Sequence, residues 1–326
     1  MAGADPSQAT DRYDAAVATV AEPESVLLPG HDVPLGRYTT VRRLLPQRPR
    51  RMVGAWCFVD LFGPDEVAGT PGMQVPPHPH TGLQTVTWLM AGEVRHRDSL
   101  GSLATVRPGE LNVMTSGHGI AHSEESPPEH PPVMHGLQLW VALPEAARHG
   151  AASFDHHPHM PVVADGGLTT TVVVGDLGGV RSPATTYSPL LAADVTVAAG
   201  TDAALPLEPD FEYAALSISG EAEVAGAPLA PGSLLYLGYG RGQLPLAADR
   251  DARLFLLGGE PFAEPLVMWW NFVGRSHDEI VTAREDWQAG RRFGTVEGYP
   301  GDPLPAPTLP TTRLKARDRH GNTFAG

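Results

Sequence analysis

From Tyr38 to Glu264 the chain is a succession of short apolar runs cut by Gly, Pro and Asp, and this pattern constrains the fold more than any other feature. Runs of that length, bounded by turn residues and without a 3.6-residue period, specify many short strands joined by tight turns. The 36 Gly and 33 Pro are spread along the chain instead of forming one low-complexity block, which suits a turn-rich globular protein.

Two segments share one layout of strand, Gly-Glu turn, strand, Pro-Gly turn, strand. The first contains Thr85 to Val94, with Gly92-Glu93, and then Pro108-Gly109 before Leu111. The second contains Tyr213 to Glu221, with Gly220-Glu221, and then Pro231-Gly232 before Leu234. A chain of 326 residues is long enough for two domains, each with its own core. Two duplicated barrels are the economical reading. The expected division is a loosely ordered lead-in over 1–34, a first barrel over 35–145, a linker over 146–167, a second barrel with a short helix over 168–290, and an extended Pro-rich arm over 291–326. The helix is read from the capping-box sequence Ser276-His277-Asp278-Glu279, after which Ile280, Ala283 and Trp287 fall on one face.

The formal net charge of −14 disfavours contact with a nucleic-acid backbone. The one basic cluster, Arg42, Arg43, Arg48, Arg50 and Arg51, is interrupted by Leu44, Leu45, Pro46 and Pro49 and reads as a solvated loop beside a strand. Cys57 is the single cysteine, so an internal disulfide is excluded, and its apolar run marks it as a buried, inert thiol. No cationic segment precedes an apolar stretch at the N-terminus, and no apolar run approaches the ~20 residues that cross a bilayer. The expectation is a cytoplasmic protein with no membrane contact.

His78-Pro79-His80 sets two imidazoles at i and i+2, on one face of an extended segment. His122-Ser123-Glu124 repeats the spacing with an imidazole and a carboxylate. If two neighbouring strands aim these pairs at one point, they supply three nitrogens and an oxygen to a first-row divalent ion, leaving one or two positions open. Gly117 and Gly119 permit a sharp bend before the second pair, and Pro76, Pro77 and Pro79 stiffen the first. An isolated His-x-His usually means nothing. The second pair is what separates this one from His157-Pro158-His159, which has no downstream partner and reads as solvent-facing linker.

The run Pro77-His78-Pro79-His80-Thr81-Gly82, then His96-Arg97-Asp98-Ser99, then Gly117-His118-Gly119-Ile120-Ala121-His122-Ser123-Glu124, resembles the pirin family of the cupin superfamily. His135 to Val141 and Met268-Trp269-Trp270-Asn271-Phe272-Val273-Gly274 extend the resemblance over about residues 35–290. It implies an all-β bicupin of two antiparallel barrels, with one divalent ion held only in the first by His78, His80, His122 and Glu124. Iron is the ion implied first, while Cu, Ni, Mn, Co and Zn suit the same ligands. The residues themselves agree about the second copy, because Leu207-Glu208-Pro209-Asp210 carries no histidine where the first copy has two.

The resemblance also implies an activity, quercetin 2,3-dioxygenase-type opening of a flavonol or similar small aromatic enol by O2, with Glu124 as the catalytic base. The alternative is a redox-sensing binding protein, a transcription co-regulator or modulator of a metabolic enzyme, in which the iron acts as the switch for a protein partner. The family-level expectation for oligomeric state is a monomer. His96 and His118 are expected near the ligands as orienting groups. His135 is a candidate to lie close to the site, and Trp88, Met90 and Met114 are candidates to line the cavity, although core packing is the plainer reading for all four.

Overall fold

The protein's structure, a computed structural model, describes residues 24–35 and 39–323. Its strands begin with β1 (Val26–Pro29), β2 (His31–Leu35), β3 (Thr39–Leu45), β4 (Trp56–Glu66), β5 (Gln74–His80) and β6 (Leu83–Ala91). Next come β7 (Val94–Asp98), β8 (Leu103–Val106), β9 (Leu111–Thr115), β10 (Ile120–Glu125), β11 (Val133–Ala142), β12 (Ser153–His157) and β13 (Val162–Asp165). The second half holds β14 (Leu168–Leu177), β15 (Val180–Arg181), β16 (Leu190–Val197), β17 (Thr201–Pro206), β18 (Glu212–Ser219) and β19 (Ala222–Val224). It continues through β20 (Ala227–Leu229), β21 (Ser233–Gly238), β22 (Gln243–Ala248), β23 (Ala252–Gly259), β24 (Val267–Trp269), β25 (Phe272–Gly274) and helix α1 (His277–Gln288).

These strands form two barrels of one plan. In the first, a sheet of order β12-β9-β6-β11-β4-β3-β2 faces a sheet of order β5-β10-β7-β8. In the second, β1-β21-β18-β23-β16-β14-β13, with β15 paired to β14, faces β17-β22-β19-β20. The orders superimpose term by term, so β5 corresponds to β17 and β10 to β22. The Gly-Glu and Pro-Gly turns of the repeat sit at matching corners, with Gly92, Gly109, Gly220 and Gly232 all at positive φ.

Side-chain alternation decides what each barrel contains. In β7, Val94, His96 and Asp98 are buried while Arg95 and Arg97 are half-exposed. Strand β22 buries Leu244 and Leu246, and β17 buries Leu205. The second barrel is therefore filled by an aliphatic core in the region where the first holds histidines.

One apolar core runs through both barrels and joins them, with Trp56, Leu137 and Leu139 on one side and Leu216, Leu234 and Phe255 on the other. Polar groups inside that interface are paired, as burial demands. Trp88 Nε1 donates to Asp194 Oδ2 at 2.7 Å, and Arg253 also binds Asp194. Trp56 Nε1 donates to the carbonyls of Leu191 and Gly258. The Gly54 N–H and the Tyr236 hydroxyl donate to the two oxygens of Glu212.

The structure corrects two expectations at the domain edges. Residues 24–35 form β1 and β2; β1 pairs with β21 of the second barrel, and β2 pairs with β3 of the first. The remainder of the expected lead-in, residues 1–23, lies outside the described residues. Residues 146–167 carry β12 and β13, which are edge strands: β12 pairs with β9 in the first large sheet and β13 with β14 at the opposite end of the second. Short edge strands rich in Pro, Asp and His lack apolar alternation, so their pairing is set by the neighbour's exposed backbone.

The helix begins at Ser276, whose hydroxyl accepts from the Glu279 N–H, and it buries Ile280 and Ala283. Residues after 290 pack on it through Phe293, Leu309 and Leu314. Cys57 is buried, and desolvation pushes its thiol up to about 12, so it stays protonated. No helix among the described residues is long and apolar enough to cross a membrane.

Replacing Trp88 by Phe removes one donor from the buried Asp194 while Arg253 remains. The expected loss is about 1–2 kcal/mol in urea unfolding, with the far-UV spectrum unchanged.

Candidate metal centre

The site begins with a strand pairing. Antiparallel β10 lies on β5 with His122 opposite His78 and Ile120 opposite His80. The first predicted pair, His78 and His80, thus meets the imidazole of the second, His122, inside the first barrel. Ring centroids are 4.4 Å apart for His78 and His122, 4.9 Å for His80 and His122, and 5.0 Å for His78 and His80. One ring nitrogen from each of the three lies within 4.8 Å of the others.

Each imidazole is oriented from behind through Nδ1. His78 Nδ1 lies 2.9 Å from the carbonyl of Pro76, and His80 Nδ1 lies 3.1 Å from that of Asn271. A carbonyl only accepts, so both Nδ1 atoms carry the proton and both Nε2 atoms keep a free lone pair. His122 Nδ1 lies 3.3 Å from His96 Nδ1, and His122 Nε2 is buried without a hydrogen-bond partner. A buried acceptor left without a partner beside two other free lone pairs fits a cation as the missing neighbour.

Burial keeps the set neutral. It lowers His78 to about 4 and lowers His80 and His122 well below the usual histidine range, with neighbouring imidazoles adding repulsion. Neutral imidazole is the form that ligates metal.

Glu124 is placed differently from the three histidines. On the β7 side the register is regular, with His122 opposite Asp98 and Glu124 opposite His96. On the β5 side a bulge intervenes, because Glu124 pairs with Val75 after His122 has paired with His78. The extra residue falls at Pro76-Pro77, where the missing N–H groups make regular pairing costly, and β5 is an edge strand that tolerates it. The Glu124 carboxylate, opposite His96 across β7, groups with His122 and His96 within 4.8 Å, and among the described residues no group of that size holds all four expected ligands. Thr87 Oγ1 sits 3.2 Å from Glu124 Oε1 and 2.9 Å from Gln138 Oε1. Burial raises the Glu124 carboxyl to about 7, a shift that the Thr87 hydrogen bond reduces.

Beside the cluster stands an aromatic wall that sequence reading did not select. Trp140 meets His80 edge-on at 5.2 Å and stacks on Phe58 at 4.1 Å. The Arg43 guanidinium covers Phe58 at 4.4 Å and makes a two-pronged bond to the buried Asp60. Residues of β3, β4 and β11 meet here only through sheet register, so no local motif marks them.

The hairpin β24–β25 is part of the site as well, since it supplies the Asn271 carbonyl to His80. It is held by the Val273 N–H donating to Thr81 O and by close approach to Gly82, where a Cβ would lie 2.2 Å from Val273 O. Gly82 is at φ +69, a second reason for glycine. Trp270, at φ +52, makes the tight turn that aims Asn271.

Of the two histidines expected near the ligands, His96 lies beside His122, with the two Nδ1 atoms 3.3 Å apart. His118 does not: it is exposed, its ring lies 6.3 Å from His149, and it lines a surface cleft of about 380 Å³ with Arg148 and α1. It sits before β10 begins, in the turn that Gly117 bends, and strand alternation does not govern it. His135 is half-buried, with Arg253 as its charged neighbour. Trp88 and Met90 pack in the inter-barrel core. The His157-containing segment is strand β12, half-buried on β9, with His156 Nδ1 donating to Asn112 Oδ1 at 2.7 Å.

Two matched barrels, with a cluster of side chains able to hold a metal in the first and aliphatic residues in its place in the second, define a bicupin with a candidate metal centre. Residues 38–141 match the family model described as Pirin, and residues 192–294 match Pirin C-terminal cupin domain. A Pseudomonas aeruginosa relative, named provisionally as a quercetin 2,3-dioxygenase, is 48% identical over 277 residues, covering 85% of this chain and 88% of its own. A pirin-like protein of Caulobacter vibrioides is 42% identical over 77% of this chain and 88% of its own. The crystal structure of a quercetin 2,3-dioxygenase from Acinetobacter baumannii superposes with a TM-score of 0.86 at 40% identity, covering 90% of this chain and 97% of that one. The chain belongs to the pirin family.

Two outcomes follow from this geometry. Gly82→Ala pushes the hairpin away from His80 and should weaken Zn(II) binding by about 10- to 100-fold in calorimetry, with secondary structure retained. In metal-free protein, His78 takes up no proton until about pH 4, whereas the unfolded chain protonates it near 6.5. Stability therefore falls as pH drops through that window, by about 3 kcal/mol from this residue. Melting curves of His78→Leu in chelator should show a shallower acid slope than wild type.

Proposed function

We propose that this pirin-family protein is a metal-dependent dioxygenase of the quercetin 2,3-dioxygenase type, acting on a flavonol or a similar planar enol. The observation that carries this reading is the meeting of three buried imidazoles, His78, His80 and His122, within 4.8 Å of one another, with the buried carboxyl of Glu124 within the same distance of His122. His78, His80 and His122 would hold the ion, with Glu124 as the fourth donor or as the adjacent base. Iron is the ion this reading calls for, and Cu, Ni, Mn, Co and Zn suit the same ligands. Bound there, the ion supplies a Lewis acid for a substrate oxygen and a route to O2 chemistry.

The chain's own residues account for the rest. A carboxylate tuned near neutral pH accepts the proton of an enolic 3-hydroxyl efficiently, and Thr87 holds its Oε1 in place. Trp140 and Phe58 offer a flat apolar wall beside His80, the shape a fused aromatic ring requires. The enclosure of the cluster, in which His78, His80, His122 and Glu124 are all at most 7% exposed, keeps water from the deprotonated enol. The relatives named as quercetin 2,3-dioxygenases support the same substrate class.

Protein loaded with Fe(II) without air, then given quercetin and O2, should release carbon monoxide and bleach the flavonol absorption. Glu124→Gln should keep a bound metal yet lose turnover by about 100-fold or more. Unchanged oxygen uptake in that variant would remove the base role, and absence of carbon monoxide from wild type would remove the reaction.

A further inference from the structure

We propose that Asp98, His96 and Phe154 form a positioning relay that fixes the tautomer and ring plane of His122, so that its Nε2 is presented as a free lone pair. The proposal rests on the reading of His122 as a metal ligand and adds to it the means by which this ligand, alone of the three histidines, is oriented without a backbone carbonyl.

The relay is read from its outer end. Asp98 Oδ1 accepts the N–H groups of Leu100 at 2.9 Å and Ser102 at 3.0 Å, so the β7–β8 turn clamps the carboxylate. Its other oxygen, Oδ2, lies 3.2 Å from His96 Nε2. A carboxylate offers no proton, so His96 Nε2 bears the hydrogen and His96 Nδ1 of the neutral ring bears a lone pair. That lone pair faces His122 Nδ1 at 3.3 Å. Two nitrogens at this distance share one proton, and it must come from His122. With Nδ1–H committed to His96, His122 Nε2 is left as an acceptor, and this is the buried atom without a partner.

The ring plane is set independently. Phe154 stacks on His96 with centroids 4.2 Å apart and planes at 11°, so His96 cannot rotate away from the line between Asp98 and His122. Phe154 comes from β12, the strand in the segment read from sequence as linker. Asp98 and His96 come from alternate positions of β7. An anionic end also makes His122 a more basic ligand, as a carboxylate does for metal-bound histidines generally.

Direct ligation is the competing role, because His96, His122 and Glu124 form a group within 4.8 Å themselves. The bond of His96 Nε2 to Asp98 and the seating of its Nδ1 against His122 leave it no free lone pair, which favours the relay.

The test measures Co(II) affinity by competition with a chromogenic chelator, together with 15N shifts of the His122 ring in metal-free protein. Wild type should bind one Co(II) and show His122 protonated at Nδ1. Asp98→Asn and His96→Leu should weaken binding by about 10- to 100-fold and populate the Nε2–H tautomer. His96→Gln, whose amide oxygen still accepts from His122 Nδ1–H, should recover most of the loss seen in His96→Leu. A purely structural role would not separate Gln from Leu in this way or move the tautomer signal.

Wild-type affinity in Asp98→Asn and His96→Leu, with Co(II) lost in His122→Ala, would overturn the relay and leave the metal reading standing. His96→Gln as damaging as His122→Ala would make His96 a ligand and overturn the relay as well. Undiminished binding in His122→Ala would overturn the metal reading, and the relay with it.

Discussion

The pairing of β10 with β5 is the constraint on which the rest of this structure depends. Placing His122 opposite His78 brings two separated segments together with their functional side chains on one face, and a slip of one residue would turn every one of them outward. Three imidazoles then face one another, while the regular pairing of β10 with β7 sets Glu124 opposite His96 and beside Thr87. A carboxylate held slightly apart from three neutral nitrogens suits a group that ligates and exchanges protons in turn.

The duplicated architecture separates chemistry from support. The second barrel fills the corresponding region with Leu205, Leu244 and Leu246 and has an aliphatic core. Its contribution to the centre is indirect, through the apolar interface behind β6 and β11, while the segment that follows it carries the β24–β25 hairpin. That hairpin returns the Asn271 carbonyl to His80, which explains why the Trp269-Trp270-Asn271-Phe272 sequence belongs to the same pattern as the distant His-Pro-His. The centre is thus assembled from segments on both sides of the second barrel in sequence, and the first barrel alone lacks a support for one of its imidazoles.

What was legible in the sequence follows from periodicity and spacing. The strand-turn rhythm, the Gly-Glu and Pro-Gly repeat, the Ser276 cap and the two i, i+2 pairs are local signals, and each corresponds to an observed element or cluster. Edge strands were not legible, because β1 and β12 have little apolar alternation and owe their pairing to partners elsewhere in the chain. His118 was misplaced because proximity in sequence to His122 does not survive the bend at Gly117. Trp140, Phe58, Thr87 and Phe154 reach the centre only through cross-strand register, which a single sequence does not disclose.

Anomalous diffraction from crystals of the metal-loaded protein, recorded at the absorption edge of the bound ion, tests the central claim most directly. The account predicts one ion inside the first barrel, bonded to the Nε2 atoms of His78, His80 and His122 at about 2.0–2.2 Å, with the Glu124 carboxylate at or next to the coordination sphere. An ion seated elsewhere, or one held by His96 with those three nitrogens left unbound, would contradict it.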